Sequence, residues 1–566
     1  MTKPLLGSLV VATLLLSDVS AATMYERFEA MEKEMQRLQS ELAELKAEKA
    51  QAPISRGESD DEDEDEADDE DSEDGAKSSN YDEDDAEDED DEDSIEDIVE
   101  ELQEEVQDLT RATNGNHIKL GVDFRTSYDY ISYKMASDTA VAYNNQLTPI
   151  GTKKVSKKQK NSALFSNRLW INMSWQATNN LSFTGQLAYN KTYGARGGNT
   201  GPFSTFNNFD WITNENPDGD SQVTVKSAYF FYKDIELAGL DIPWTFSVGR
   251  RPSTNGHLIN MRDDDAASSP SGHTINVEFD GASAKFGLEN VTGIEGMYIK
   301  FCAGQGGTNA NERFSSTPYA TNKDADAKDI WLGGFIFVPY DDGQYSIGTQ
   351  FYGAANLIGQ DVYRGGISGS SVTPGQLSNL TTVGDIYSGS IYGIVNGIGN
   401  EWSDFLDETT FFVSGAMSRT HPDKGKDGFG QQITMLGSTD MENGYSYWAG
   451  LQMPSLISED GRFGVEFNHG SKYWRPITYA EDTLVGSKIA VRGDAYELYF
   501  TEPLVDDILS LQIRYTYIDY DYSGSNGFFG SGSGTPISIK DARAQGIGGA
   551  VVDTAQDLRI YLRYKY

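Results

Sequence analysis

LRIYLRYKY, residues 558–566, ends the chain. Leu558, Ile560, Leu562, Tyr564 and Tyr566 alternate with Arg559, Tyr561, Arg563 and Lys565. A period of two belongs to an extended strand with one side chain up and the next down. Here one face is apolar and finishes in two tyrosines, while the other carries four polar or cationic side chains. Such a strand needs an apolar surround on one side and a polar, partnered space on the other.

The same alternation recurs upstream. Ile118, Leu120, Val122 and Phe124 alternate with Lys119, Gly121, Asp123 and Arg125. Leu169, Ile171, Met173 and Trp175 do so with Arg168, Trp170, Asn172 and Ser174, and Leu509 to Tyr517 repeats the pattern. Each run is about ten residues, the length of a tilted strand crossing a bilayer. Their Tyr, Phe and Trp ends suit membrane interfaces. Strands are expected near residues 118, 163, 181, 222, 243, 274, 295, 329, 345, 388, 408, 444, 462, 488, 508 and 556. Links after even-numbered strands are mostly short, such as Ala177 to Asn180 and Glu502 to Asp507. Links after odd-numbered strands are long and rich in Gly, Asn, Ser and Asp. This asymmetry predicts an all-β fold, a transmembrane antiparallel β-barrel of about 16 strands over residues 114–566. Both barrel ends then fall on the short-turn, periplasmic side.

On these residues the C-terminal stretch resembles the closing strand that bacterial outer-membrane proteins present to the barrel-assembly machinery, with Leu558, Ile560, Leu562, Tyr564 and Tyr566 as the signal. GVEFNHGSKYW (Gly464 to Trp474) and SVGRRP (Ser247 to Pro252) are similar to a porin-like outer-membrane family without established function. That resemblance implies a barrel behind an N-terminal coiled coil and names no substrate. Sucrose-type porins also carry a periplasmic coiled coil, but no closer match to them is evident.

The N-terminal fifth reads differently. Lys3, the apolar run Leu5 to Leu16 and Val19-Ser20-Ala21 form a secretory signal over residues 1–21. Met24, Phe28, Met31, Met35, Leu38, Leu42 and Leu45 make a coiled-coil seam within 22–50, and Ile95, Val99, Leu102, Val106 and Leu109 a second within 94–113. Between them lies an acidic linker, residues 51–93, expected to be disordered because repulsion is high and almost nothing apolar is present. From Glu58 to Asp108 there are 32 acidic residues and one lysine, so most of the formal charge of −43 sits in this stretch. The tract serves as an extended spacer, or as a weak site for divalent cations. The seams predict a homo-oligomer; a trimer is favoured only by analogy with porins.

Composition excludes other classes. One cysteine leaves no disulfide framework, Cys-based zinc site or covalent haem motif. An acidic pI near 4.3 argues against nucleic-acid binding. No cofactor is expected. If apolar positions face lipid, the lumen receives Lys119, Asp123, Arg125, Arg168, Lys226, Arg251, Lys300, Arg462, Glu466, Glu497, Arg514, Arg559, Arg563 and Lys565, eleven basic against three acidic. Charged rings in a narrow low-dielectric pore set ion preference. The expectation is an anion-favouring lumen, against the alternative that these cations pair with loop carboxylates. Ala354 to Asp385 is the candidate constriction loop, and Lys153, Lys154, Lys157, Lys158 and Lys160 a cationic loop that could meet lipopolysaccharide.

His469 and Ser471 share a face of a strand, an arrangement that could mount base and nucleophile, but no third orienting group is evident. Glu466 and His469 point to opposite faces and make no metal motif. The chain is therefore expected not to be an enzyme. Cys302 is expected to pack in the lumen. Three function classes remain: a porin for small, anionic hydrophilic solutes; a barrel that anchors the coiled coil; and a sheath around a separate cytochrome.

Overall fold

A computed structural model describes residues 118–566 except 144–148, 195–214, 217–221, 252, 267, 269, 326, 361–379, 400–401, 424–435, 439, 479–480 and 524–535. The expected signal, both coiled-coil seams and the acidic linker lie outside the described residues.

Sixteen antiparallel strands close into a barrel. The first eight are β1 Lys119–Met135, β2 Lys158–Gln176, β3 Leu181–Thr192, β4 Val223–Asp234, β5 Trp244–Arg250, β6 Asp280–Gly287, β7 Tyr298–Gly307 and β8 Ile330–Asp341. The rest are β9 Tyr345–Gln360, β10 Leu380–Asn396, β11 Thr410–Pro422, β12 Asn443–Pro454, β13 Arg462–Gly470, β14 Gly493–Val505, β15 Leu509–Tyr520 and β16 Val552–Lys565. β1 closes on β16, with Phe124 opposite Tyr564 and Arg125 opposite Arg563. Beyond the strand, the Tyr566 N–H donates to the Val122 carbonyl at 2.8 Å, and Val122 N–H donates back to Tyr566 at 2.6 Å. Closure leaves the sheet without an unpaired edge.

Connections alternate as the sequence suggests. Links 177–180, 342–344 and 506–508 are tight, and all even-to-odd links lie on the same side as both barrel ends. In 342–344, Asp342 Oδ1 accepts from the Gln344 N–H at 2.9 Å while Gly343 sits at φ 86°. That is the self-bonding turn Asp and Gly are suited to. The odd-to-even links, such as 193–222 and 521–551, are long.

Burial alternates along the wall. In β16 Asp557, Arg559, Tyr561 and Arg563 are buried, while Leu562 and Tyr564 face outward. Outward aromatic pairs gather toward both rims. Tyr232–Trp244 (5.4 Å) and Phe463–Phe500 (4.7 Å) lie toward the turn side. Tyr128–Phe165 (5.3 Å) and Phe467–Tyr496 (5.1 Å) lie toward the long-link side.

Two long links do not stay at the rim. Segments 251–279 and 471–492 fold into the barrel and join through a parallel pairing of Ile275–Asn276 with Ile477–Thr478. Their composition explains the path: Leu258, Ile259, Val277, Trp474, Ile477, Val485, Ile489 and Val491 are all buried. Fully burying one such aliphatic side chain contributes about 1.5–3 kcal/mol. At Gly470, where the second segment leaves β13, a β-carbon would overlap the Val491 carbonyl oxygen. Only glycine lets the backbones approach so closely.

Three expectations need correction: the strand placed near 488 starts at Gly493, because Lys488, Ile489 and Val491 belong to the second inner segment. The strand placed near 274 starts at Asp280, because the alternating Ile275, Val277 and Phe279 belong to the inner segment rather than the wall. The two ends of Ala354 to Asp385 are wall rather than loop: residues through Gln360 continue β9 and those from Leu380 belong to β10. The span 361–379 lies outside the described residues.

Candidate functional site

The lumen holds a buried ion network that ties the inner segments to the wall. Arg125 on β1 grips the Asp482 carboxylate with both guanidinium nitrogens, at 2.5 and 2.7 Å. Arg559 on β16 reaches Asp482 at 3.2 Å and Asp129 at 2.5 Å. Arg563 bridges Asp123 (2.6 Å) and Asp265 (3.0 Å). Lys488, from the second inner segment, meets Glu466 at 2.6 Å and also contacts Glu497, which Arg262 approaches at 3.4 Å. Lys226 pairs with Glu278 at 3.0 Å, and Arg168 with Asp123 at 3.4 Å while lying over the Trp170 ring. Burial alone would raise the Asp482 carboxyl, but Arg125, Arg559 and Arg514 hold it well below the ordinary range. Burial likewise opposes charge on Arg262, yet Asp263 and Glu497 keep it well above its usual value. Buried charges survive when partnered like this; removing one partner strands the other.

A second feature opens on the turn side. A vestibule of about 710 Å³ is lined by Arg251, His257, Lys285, Lys300, Tyr298 and Asp341, among others. Lys285 and Lys300 are direct cross-strand partners on β6 and β7. Like charges directly opposite one another destabilise a sheet. Aromatic faces offset part of this: Lys285 Nζ lies 3.8 Å from the Tyr298 ring centre, and Arg251 lies 4.4 Å from that of Tyr229.

The residues expected at the pore thus separate into three groups. Arg125, Arg168, Lys226, Glu466, Glu497, Arg514, Arg559 and Arg563 are buried between wall and inner segments. Arg251 and Lys300 line the vestibule, which Asp123, Lys226, Arg563 and Lys565 also border, and Lys119 and Arg462 are exposed at the turn-side rim. The excess of basic residues counted from the strands is offset for the buried group, because the inner segments supply Asp263, Asp265, Glu278 and Asp482 as partners.

Residues 158–566 match the family described as protein of unknown function DUF3373. The chain belongs to that family. No curated protein matches it. Among solved structures it is similar to the trimer form of OmpT, an outer membrane protein of Vibrio cholerae (9% identity, TM-score 0.40, covering 80% of this chain and 100% of the other). It is also similar to an anion-selective porin from Comamonas acidovorans (9%, 0.38, 80% and 99%) and to Pseudomonas putida OprB (12%, 0.39, 81% and 96%). At these scores they are likenesses only.

In this DUF3373 chain His469 and Ser471, weighed above as base and nucleophile, make other contacts. His469 points outward, stacks on Tyr447 at 4.9 Å and bonds Asp494 at 2.7 Å, while Ser471 Oγ accepts from the Tyr445 N–H at 2.9 Å. Among the described residues no three His, Cys, Asp or Glu side chains are grouped as a metal would require. Asp129 and Asp557 were legible in phase with Arg125 and Arg559 but lay beyond the positions counted from each strand. Asp482, Lys488 and Arg262 had a weaker signal: apolar residues in links otherwise expected to be solvated. SVGRRP and GVEFNHGSKYW, the two stretches resembling the porin-like family, stand where the wall turns into each inner segment.

Proposed function

We propose that the chain is a bacterial outer-membrane channel for small hydrophilic solutes, favouring anions, with its vestibule on the periplasmic side. The apolar outer face with aromatics toward both rims supports the membrane setting. The observation that carries the solute reading is the vestibule, where Arg251, Lys285 and Lys300 converge on one open space. Cations held over a concave, low-dielectric wall raise the local concentration of anions. Partners proposed on the same reading are lipid and lipopolysaccharide around the barrel, the assembly machinery at the terminal strand, and further copies of the chain through the N-terminal seams, a trimer being favoured. Divalent cations are proposed as weak ligands of the acidic linker.

Purified full-length protein in a planar bilayer under a salt gradient tests this. The expected result is step conductance with a reversal potential of anion sign; cation preference, or no conductance from folded protein, overturns it.

A second reading, an anchor for the periplasmic coiled coil, is favoured by the two inner segments ion-paired across the lumen. It predicts folded barrels without conductance. The same segments occupy space a sheathed cytochrome would need, which disfavours that reading.

A further inference from the structure

A second, smaller cavity adjoins the vestibule. It measures about 60 Å³ and lies between the first inner segment and the wall of β6–β9. Ile275, Phe279, Cys302, Leu332, Ile336 and Tyr352 give it an apolar lining. Arg251, Ser283 and Lys300 border both this cavity and the vestibule, so the cations stand where the two spaces meet. Lys285, opposite Lys300 on the neighbouring strand, adds a third positive charge on the vestibule side. A channel that only needed positive potential would have no use for an apolar recess behind its cations. A site for a ligand with an anionic head and an apolar tail needs that arrangement, since directed polar groups fix orientation and apolar walls take the remainder. The recess has room for roughly four water-sized groups, which suits a chain of three or four carbons and excludes a long acyl chain.

We propose that this is a binding site for short-chain aliphatic carboxylates, the carboxylate held by Arg251 and Lys300 and the tail lodged against Leu332 and Ile336. The proposal rests on the vestibule being a route for small anions and names the class of anion it selects. Two oxygens on one planar carboxylate match the fork of an arginine and leave a lone pair for the lysine.

Butyrate is the probe, added to the detergent-solubilised full chain. Ligand-observed NMR should show saturation passing from the protein to the butyrate methyl group. Lys300→Gln should weaken binding about tenfold, the size of one lost charge-assisted hydrogen bond. Leu332→Phe, which fills the recess, should abolish saturation of the methyl group while leaving the barrel folded by its heat-modifiable gel mobility. Cys302, the chain's one cysteine, gives an independent readout, because butyrate should slow its alkylation while chloride at equal ionic strength should not. No saturation transfer in the wild type, or transfer unchanged in both variants, overturns the site. Conductance without butyrate binding overturns the site and keeps the channel; butyrate binding without conductance overturns the channel and keeps the site.

Discussion

Replacing His273 by Gln tests whether the first inner segment is part of the folded core. The ring is fully buried, with Nδ1 2.8 Å from Ser414 Oγ, Nε2 2.9 Å from Ser446 Oγ, and Trp448 and Trp474 edge-on at 5.6 Å. Burial pushes its pKa down to about 3. When the segment leaves the lumen the ring regains the ordinary histidine value, about 6.5, so the undocked state takes up a proton that the docked state refuses. The contribution of His273 is therefore complete above pH 6.5 and is lost as pH falls toward 3, at a slope approaching 1.4 kcal/mol per pH unit. Between pH 7 and pH 5 the loss comes to about 2 kcal/mol, about a thirtyfold rise in the undocked population. His273→Gln has no proton to take up and keeps a donor and an acceptor for the two serines. The assay is the denaturant midpoint of tryptophan fluorescence for detergent-solubilised protein at pH 7 and pH 5. Wild type should lose about 2 kcal/mol more than the variant across that interval. Equal losses, within about 0.5 kcal/mol, refute the reasoning.

Other perturbations read different parts of the fold. Asp482→Asn strands Arg125 and takes one partner from Arg559, which keeps Asp129, and from Arg514; it should cost about 3–5 kcal/mol, visible as a lower temperature for the loss of the compact gel band. Because those cations hold the Asp482 carboxyl well below its usual range, its contribution stays complete above about pH 4 and fades only as pH falls through that lowered value. Wild type at pH 4 should therefore not reproduce the variant's loss of Asp482 pairing. Gly470→Ala drives a methyl into the Val491 carbonyl and should cost about 1–3 kcal/mol, whereas Gly415→Ala, with open space around it, should change stability by less than about 0.5 kcal/mol. Deleting Tyr566 removes both hydrogen bonds to Val122 and the terminal aromatic. Insertion into lipid vesicles, followed by gel mobility, should then be slower than for wild type.

The barrel was legible because each strand announces itself locally. Leu558 to Tyr566 needs no knowledge of the rest of the chain to be read as extended and two-faced, and sixteen such stretches with alternating link lengths leave few topologies. The errors fall where alternation occurs without a wall. Ile275, Val277 and Phe279 have the period of a strand yet form part of an inner segment, and periodicity records only that the backbone is extended. The ion network was hidden for another reason. Arg125 and Asp482 are 357 residues apart, and nothing in the local pattern of β1 says what will face its inner side. What was open to reading was the composition of the links. Segment 471–492 carries Trp474, Ile477, Val485, Ile489 and Val491, whereas 521–551 is dominated by Gly, Ser and Asn in its first half. A long link with that apolar content has to find cover.

That distinction relocates the residues proposed to set ion preference. Counting charges along the wall treats every inward cation as equivalent, and by that count Arg125, Arg514, Arg559 and Arg563 set the character of the pore. Once Asp263, Asp265 and Asp482 are folded against them, those four hold the inner segments in place and their fields are largely cancelled at short range. Arg251, Lys285 and Lys300 differ in kind. They face an open vestibule that Arg563 also borders, two of them stand directly opposed across neighbouring strands, and rings of Tyr229 and Tyr298 offset part of that repulsion. A sheet gains nothing in stability from two lysines side by side. Neutralising Arg251, Lys285 or Lys300 should therefore alter ion preference while leaving stability unchanged or improved, and neutralising Arg125 or Arg559 should do the reverse. Reversal potentials and unfolding midpoints measured on the same set of variants separate the two groups; a shift in selectivity from Arg559→Gln as large as that from Lys300→Gln would return the pore's character to the buried wall.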